Sequence, residues 1–468
     1  MDWFAEMPPE LRVMIMGLIS SHSTILRLIR ASPTMLTQYI ISKPSLLHDF
    51  LEDLDVSHYG SRDILQDALG IIHLEDCQFD RESASYYAGQ WSLKRIPDPF
   101  REQDHTTILK LCRLFARIGM FIEDYINKAS ASAPPAAYLR LPQLAHVGHV
   151  DIARITLDDL NRSEKCRLFR AFVKYDISCR IHSPQLENLI ESGQYTRIAQ
   201  SSQVHPGSWD HEALHCVYEY LKGAYGSFFA LCADSWRQEA SELQKGRPLL
   251  YPDNLYFSAD AHFADIIWPS QYRNAASYLP YLGFDLLAQL STLVGRKQQT
   301  DEQLRSWFRS LSSEWTMTHW LLPDHFLIHD HGLGLEACDP KEGHRHQLLQ
   351  RLSRDYFLQV KIYRQRAWAF FDDSRLFPDP ATHFPTTDGI EEQQHAVRLQ
   401  FCSCSIEVNR RRRRSRKWQD YWAGRSLDKP KDYCGDSEEQ AKIEDDYGLV
   451  IPPFFNDPAT EKLAAFWR

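Results

Sequence analysis

Apolar residues recur at helical spacing over most of the chain. Between Asp104 and Ala129 they return every three or four residues, so that they share one face of a long helix. The same spacing predicts helices at about 163–175, from about residue 210, at 348–367 and at 397–408. Strand signals are few, because turn dipeptides flanked by alternating apolar residues are nearly absent. The pattern therefore predicts a mainly α fold, with a short N-terminal three-helix module followed by a large, irregular α-helical domain.

Breaks in this pattern divide the chain into four regions. The small-residue and proline stretch ASASAPPAA at 129–137 is the clearest linker candidate in the first half. A chain of 468 residues also exceeds one ordinary hydrophobic core, which favours more than one packed unit. We therefore predict an N-terminal module at 1–45, a helical region at 46–128, a helical domain at 138–427 and an acidic, partly ordered tail at 428–468.

Composition narrows the class of protein. Hydrophobic residues make up 43% of the chain and charged residues 25%, as in a globular protein that folds around a core. No apolar run reaches the roughly 20 residues that span a bilayer, and the net charge of -9 argues against a nucleic-acid-binding protein. The ten cysteines include no CxxC pair, which argues against a zinc ribbon and favours reduced thiols. We expect a protein of the cytoplasm, the nucleus or both, without a cofactor and without a membrane partner.

The first 41 residues carry a pattern of three short helices. Pro8 and Pro9 suit the start of the first helix, because a proline at the first helical position loses no hydrogen bond. The apolar face of that helix is formed by Leu11, Met14, Ile15, Leu18 and Ile19. The pair Ser23-Thr24 can cap the second helix, and the pair Ser32-Pro33 begins the third. Three short helices with one shared apolar side must pack on each other and on a further surface.

This N-terminal pattern resembles an F-box. The resemblance rests on the run PPEL at 8–11, on MIM at 14–16, on Leu18-Ile19 and on ILRLIR at 25–30. The third F-box helix commonly begins with cysteine, arginine and tryptophan, whereas this chain reads ASPTM at 31–35. That form is similar to the openings of uncharacterised fungal F-box-like proteins. The later runs CVYEYL at 216–221, RAW at 366–368 and FDDSRL at 371–376 also look like that group.

The resemblance implies a role in ubiquitin ligation. In the F-box family the proline-glutamate opening and the apolar residues after it dock onto the Skp-type adaptor of a cullin ubiquitin ligase, and the downstream region captures a substrate. Carried over to this chain, the docking residues are Pro8, Pro9, Leu11, Ile15 and Leu18. The family implies no catalysis by the F-box protein itself, so we expect a non-catalytic binding protein.

The motif His211-Glu212-Ala213-Leu214-His215 carries the clearest candidate chemistry. On a helix this HExxH spacing places His211 and His215 one turn apart, where both can bind zinc while Glu212 acts as general base. A catalytic zinc needs a third protein ligand, and Tyr218 and Leu221 stand where the extended motif has glycine and histidine. We therefore expect no metal here. The alternative function is a zinc-dependent hydrolase that uses this motif. The structural interpretation is that His211 and His215 are half-exposed histidines at the start of a helix, without a metal.

A basic run forms the last candidate site. It consists of Arg410, Arg411, Arg412, Arg413, Arg414, Arg416 and Lys417. Such a run is typical of a nuclear localisation signal that binds an import receptor, and equally of a solvated helix face.

Besides the adaptor and the hydrolase, a third hypothesis for the function of the chain is a structural scaffold whose N-terminal helices complete the core. The exposure of residues 7–41 distinguishes a docking module from such a scaffold, because a free apolar face indicates a partner.

Overall fold

A computed structural model shows a helical protein. It describes residues 2–55, 62–77, 80–142, 155–232, 249–266, 277, 279–293, 343–353, 356–400, 403–414, 424 and 426–428. No β-strand occurs in these ranges, which confirms the predicted mainly α class. None of the helices within them is both long enough and apolar enough to cross a membrane.

Helices follow one another along the described chain. The first group is α1 (Pro9–Gly17), α2 (His22–Ala31), α3 (Pro33–Asp55), α4 (Arg62–Cys77), α5 (Arg81–Ser92), α6 (Pro99–Glu102), α7 (His105–Ala129) and α8 (Pro134–Tyr138). The second group is α9 (Arg162–Ile181), α10 (Pro184–Leu189), α11 (Ser192–Ser202), α12 (Trp209–Cys232), α13 (Ala259–Ile266) and α14 (Gly283–Leu293). The last group is α15 (His344–Arg351), α16 (Phe357–Gln365), α17 (Pro380–His383), α18 (Thr387–Gln400) and α19 (Ser403–Arg414). Short 3₁₀ helices lie at Trp3–Glu6, Leu157–Asp159, Leu279–Leu282 and Ser374–Leu376.

The core is built around the three long helices α7, α9 and α12. Helix α9 packs against α4, α7 and α12, and α12 also packs against α13 and α16. Aromatic rings fill the centre: Tyr125 lies 5.0 Å from Tyr220, and Phe172 lies 5.3 Å from Phe284, between ring centroids. Such tilted and stacked pairs add to the burial of large apolar areas. Five cysteines of the described residues, Cys77, Cys112, Cys166, Cys179 and Cys216, are buried and form no disulfide with one another.

Most predicted helices are confirmed, but one is interrupted. Helices α7, α9 and α12 occupy the stretches where apolar spacing predicted them. The helix predicted at 348–367 is two helices, α15 and α16. Gln359 holds the break, because its amide accepts from Ser353 N at 2.8 Å and donates to Arg351 O at 3.1 Å and to Pro385 O at 3.0 Å. The first two bonds satisfy backbone groups that a continuous helix would have paired internally. The helix predicted at 397–408 falls on α18 and α19, on either side of residues 401–402, which lie outside the described residues.

The stretch at 129–137, which the sequence analysis predicts as a linker, packs into the fold. Pro134, Pro135 and Ala136 are buried, and Tyr138 at the end of α8 has no exposed surface. The Tyr138 hydroxyl donates to Gln365 O at 2.9 Å, which fastens α8 to the end of α16. Alanine and proline allow close helix packing as readily as they form an exposed connection, so composition alone did not separate the two cases.

The N-terminal helices are joined to the rest of the fold. Helix α3 runs through the predicted boundary at 45–46, and its later residues Leu47 and Leu54 belong to the main hydrophobic core. That core extends through the described residues as far as Ile390. The tail after residue 428 lies outside the described residues.

Candidate functional site

The N-terminal module consists of α1, α2 and the first half of α3. Pro8 is the N-cap of α1 and Pro9 its first residue, as the sequence predicts. Helices α1 and α2 both pack on α3, and the 3₁₀ turn before α1 contacts α3 as well. Among the described residues 2–41, Met16 and Met35 are the fully buried apolar residues.

Hydroxyl and carboxylate caps fix the ends of these helices. Ser21 caps α2 by accepting from Thr24 N at 3.2 Å, two residues before the predicted cap. Ser32 caps α3 by accepting from Met35 N at 3.1 Å, as the Ser-Pro pair predicts. The Ser32 hydroxyl also donates to the carboxylate of Asp2, at 2.9 and 2.8 Å. Hydrogen bonds from Thr34 and Ser32 lower the pKa of Asp2 to about 2. The chain before α1 is thereby held at the start of α3.

One side of the module is fastened to the body. The backbone N–H groups of Ser20 and Ser21 donate to Asp158 Oδ1, at 2.6 and 3.0 Å. The Ser21 hydroxyl donates to the buried carboxylate of Glu123 on α7. Lys165 of α9 donates to Ser20 Oγ at 2.9 Å. Because these partners come from three separate elements of the body, the orientation of the module is fixed.

The module also exposes large apolar side chains. We call them together the N-terminal apolar surface; they are Trp3, Leu11, Met14, Leu18, Leu36, Ile40 and Ile41. These seven are among thirteen exposed large hydrophobic residues in the described part of the chain, so more than half lie within the first 41 positions. The side chain of Leu18 is 78% exposed and that of Met14 56%. A local concentration of this kind is typical of an interaction surface.

Four of the five predicted docking residues are exposed. Pro8, Pro9, Leu11 and Leu18 lie at the surface, and Ile15 is half-buried. Helix α3 also contributes to this surface, because Met35 is buried whereas the next residue, Leu36, is exposed. Trp3 is exposed as well, and its one signal in the sequence is a large apolar residue outside any helical stripe.

The HExxH motif lies at the start of α12. Glu212 is 2% exposed, and its carboxylate receives two hydrogen bonds of 2.8 Å from the guanidinium of Arg364. The indole of Trp368 donates to the same carboxylate at 3.0 Å. This bidentate pair joins α12 to α16 inside the core, where a charged group needs a partner. The arrangement gives Glu212 a structural role.

The two histidines of the motif face each other across one helical turn. The ring centroids of His211 and His215 are 4.6 Å apart, so the predicted spacing is present. Burial lowers the pKa of His211, and burial together with the Arg364 guanidinium lowers that of His215 well below its usual value. Among the described residues, the metal-ligating side chains that lie close enough together to hold an ion are His48, Asp49 and Glu52 on α3.

The basic run begins as part of a folded helix. Arg410 and Arg414 belong to α19, where Arg414 is 4% exposed. Arg410 forms a bidentate pair with Asp253, with Nε–Oδ2 2.9 Å and Nη2–Oδ1 2.8 Å. Arg412 and Arg413 are half-buried. Arg416 and Lys417, like the side chain of Arg411, lie outside the described residues.

Comparison of the chain with protein-family models, with curated proteins and with solved structures found no match.

Proposed function

We propose that this protein is a non-catalytic adaptor of the F-box type. In this proposal the N-terminal apolar surface binds the Skp-type adaptor of a cullin ubiquitin ligase, and the C-terminal helical region holds a substrate. The observation that carries it is the exposure of Leu11 and Met14 on α1 and of Leu18 at the C-cap of α1, in a module that is attached to the body through Ser21.

Two arguments support docking over a scaffold role. A module that only completed the core would bury its apolar stripe, because each exposed leucine forgoes about 1.5–3 kcal/mol of burial free energy. Instead the stripe Leu11, Met14 and Leu18 at i, i+3 and i+7 faces outward along α1. Docking also requires a rigid presentation, which the Ser21 contacts to Glu123 and Asp158 supply.

The proposal is tested by Leu18→Asp, assayed by thermal melting and by a pull-down with the Skp-type adaptor. Because Leu18 is 78% exposed, we expect its replacement to leave the stability of the free protein within about 0.5 kcal/mol of wild type. At an interface the new carboxylate would lose its water without gaining a partner, so adaptor binding should weaken by at least about tenfold.

Leu93→Asp is the matched control. Leu93 is 59% exposed but lies after α5, away from the N-terminal module, so this variant should melt and bind like wild type. Absence of binding by the unmutated protein, or normal binding by Leu18→Asp, would refute the adaptor proposal.

A further inference from the structure

An open cavity of about 750 Å³ lies where α5 packs beside α10 and α11. Its volume is within the range of ligand-binding pockets, roughly 300–1,000 Å³. One wall is α5, and the other is the turn from Leu189, the last residue of α10, to Gln194 in α11. We call this cavity the α5–α11 groove. It shares no residue with the N-terminal apolar surface.

Hydrogen bonds join the two walls of the groove. The Ser85 hydroxyl of α5 donates to Gln194 Oε1 of α11 at 2.8 Å, and Gln194 Nε2 donates to Ser85 O at 3.4 Å. Gly89 lies one turn further along α5, and a Cβ there would stand 3.7 Å from the same Nε2. Because residue 89 has no side chain, the space above this pair stays open. The groove is therefore formed before any ligand enters it.

Apolar side chains of the groove are exposed. The side chain of Tyr86 is 56% exposed, and that of Leu93, the C-cap of α5, is 59% exposed. Seven positions separate them, which places both on one face of the helix, about 10 Å apart along its axis. Leu189 adds an apolar side chain from the other wall. Exposed apolar groups that share a cavity, unlike ones scattered singly over a surface, indicate a ligand.

The charged side chains of the groove favour a cation. Glu82 of α5 and Glu191 of α11's N-cap supply one carboxylate from each wall, and Arg81 supplies a guanidinium, so the lining carries a net charge of about -1 at neutral pH. Both carboxylates are exposed and form no ion pair within the described part of the chain. Glu82 precedes Tyr86 by one helical turn, so a cation above the phenol ring can also reach this carboxylate.

We infer that the α5–α11 groove binds a short peptide segment in which a lysine or arginine is flanked by apolar residues. The interval from Glu82 to Leu93 is about 16 Å, the length of about five extended residues. The basic side chain lies over Tyr86 beside Glu82, with Glu191 facing it from the other wall. The apolar residues of the peptide lie against Leu93 and Leu189. Only the biological role rests on the proposed function, in which this segment belongs to the substrate that the adaptor captures.

The test is selection of a phage-displayed library of random dodecapeptides on the full-length protein, followed by fluorescence anisotropy with the selected peptide. Enriched sequences should share a basic residue next to apolar ones. Gly89→Leu fills the cavity from a half-buried helix position, so the affinity of the selected peptide should fall by at least about tenfold. The double variant Glu82→Lys with Glu191→Lys changes two exposed positions and tests the charge where Gly89→Leu fails to fold. It should weaken binding by at least about tenfold and shift selection to acidic peptides.

Glu391→Lys with Glu392→Lys on α18 is the matched control. It makes the same change of charge at exposed positions outside the groove and should bind the selected peptide like wild type. The inference is overturned when no basic-apolar sequence is enriched, or when the selected peptide binds both groove variants as tightly as wild type.

Failure of the adaptor proposal is recognised separately. Leu18→Asp should bind the selected peptide normally, and both groove variants should bind the Skp-type adaptor normally, because the two surfaces share no residue. Peptide binding by a protein that does not bind the adaptor would refute the adaptor proposal and support the groove. Adaptor binding without any selected peptide would refute the groove alone.

Discussion

At the scale of single residues, Glu212 shows how a residue of a catalytic sequence motif can form a buried ion pair that joins two helices of the core. Its carboxylate lies in the interior, where Arg364 and Trp368 satisfy it with three hydrogen bonds. A buried ion pair adds little net stability compared with an apolar pair, but removal of one partner strands the other charge. The neighbouring His211 and His215 titrate below their usual range, which matches histidines kept neutral by burial.

This pair leads to a prediction about Glu212→Gln. The variant removes the carboxylate charge that pairs with the buried Arg364 guanidinium, so the free energy of unfolding should fall by about 3–5 kcal/mol. His211→Ala, at the half-buried first position of the motif, should cost about 1 kcal/mol or less. Urea denaturation of both variants measures these costs, with zinc content determined in parallel. Wild-type stability of Glu212→Gln, together with one zinc per chain that is lost in His211→Ala, would instead support the hydrolase alternative.

At the scale of elements, α12 organises the fold through close helix contacts. Gly223 and Gly226 lie on its buried side; a Cβ on Gly223 would stand 2.6 Å from Tyr138 Cδ1 of α8, and one on Gly226 would stand 2.7 Å from Phe257 Cε1. The Tyr138 ring is fixed, because it is fully buried and its hydroxyl donates to Gln365 O. The short helix α8 can therefore approach α12 only because glycine faces it.

The variant Gly223→Ala tests this contact. The added methyl group must displace a fully buried tyrosine ring, so we expect a loss of stability of about 1–3 kcal/mol despite the better helix propensity of alanine. Gly193→Ala in α11 is the matched control: nothing lies within 4 Å of its Cβ, and it should be neutral or stabilise by up to about 1 kcal/mol. Chemical denaturation measures both. Equal effects at the two positions would mean that α8 does not pack as described.

At the scale of the whole molecule, hydrogen bonds between residues far apart in sequence connect the helices. His383 of α17 donates to Ala129 O at the end of α7 at 2.8 Å, across 254 positions of sequence. Tyr125 of α7 donates to Arg364 O of α16 at 2.7 Å. Burial, the nearby Arg366 and His344 lower the pKa of His383 to about 3. Such bonds satisfy buried polar groups and join the first and last parts of the described core.

The low pKa of His383 predicts how stability depends on pH. The unfolded chain binds a proton at this histidine below about 6.5, whereas the folded protein keeps it neutral down to about 3. Stability is therefore fully present above pH 6.5 and falls as the pH drops, by about 2 kcal/mol at pH 5 from this residue alone. His383→Gln keeps a donor for Ala129 O but does not titrate, so its stability should fall less between pH 7 and pH 5. Urea denaturation at both pH values measures the free energy of unfolding. An equal loss of stability between pH 7 and pH 5 in the wild type and in His383→Gln would contradict the low pKa of His383.

The sequence by itself determined the helical class and many helix positions, because both depend on local interactions. Asp104 caps α7 and Ser32-Pro33 begins α3 where short-range rules place them. Apolar spacing also located a helical N-terminal module, since periodicity reports which residues share a face. Periodicity does not report what that face meets. The exposure of Leu36 beside a buried Met35, and the fate of the prolines at 134–135, were decided by neighbouring helices.

Only the tertiary structure decided the roles of the charged motifs. The partner of Glu212 lies 152 positions away at Arg364, and that of Arg410 lies 157 positions away at Asp253. A motif records the spacing of its own residues, whereas the state of a charged side chain depends on burial and on the counter-charge that the fold brings to it. Distant pairing thus placed one glutamate in the core and turned part of an arginine run towards the body.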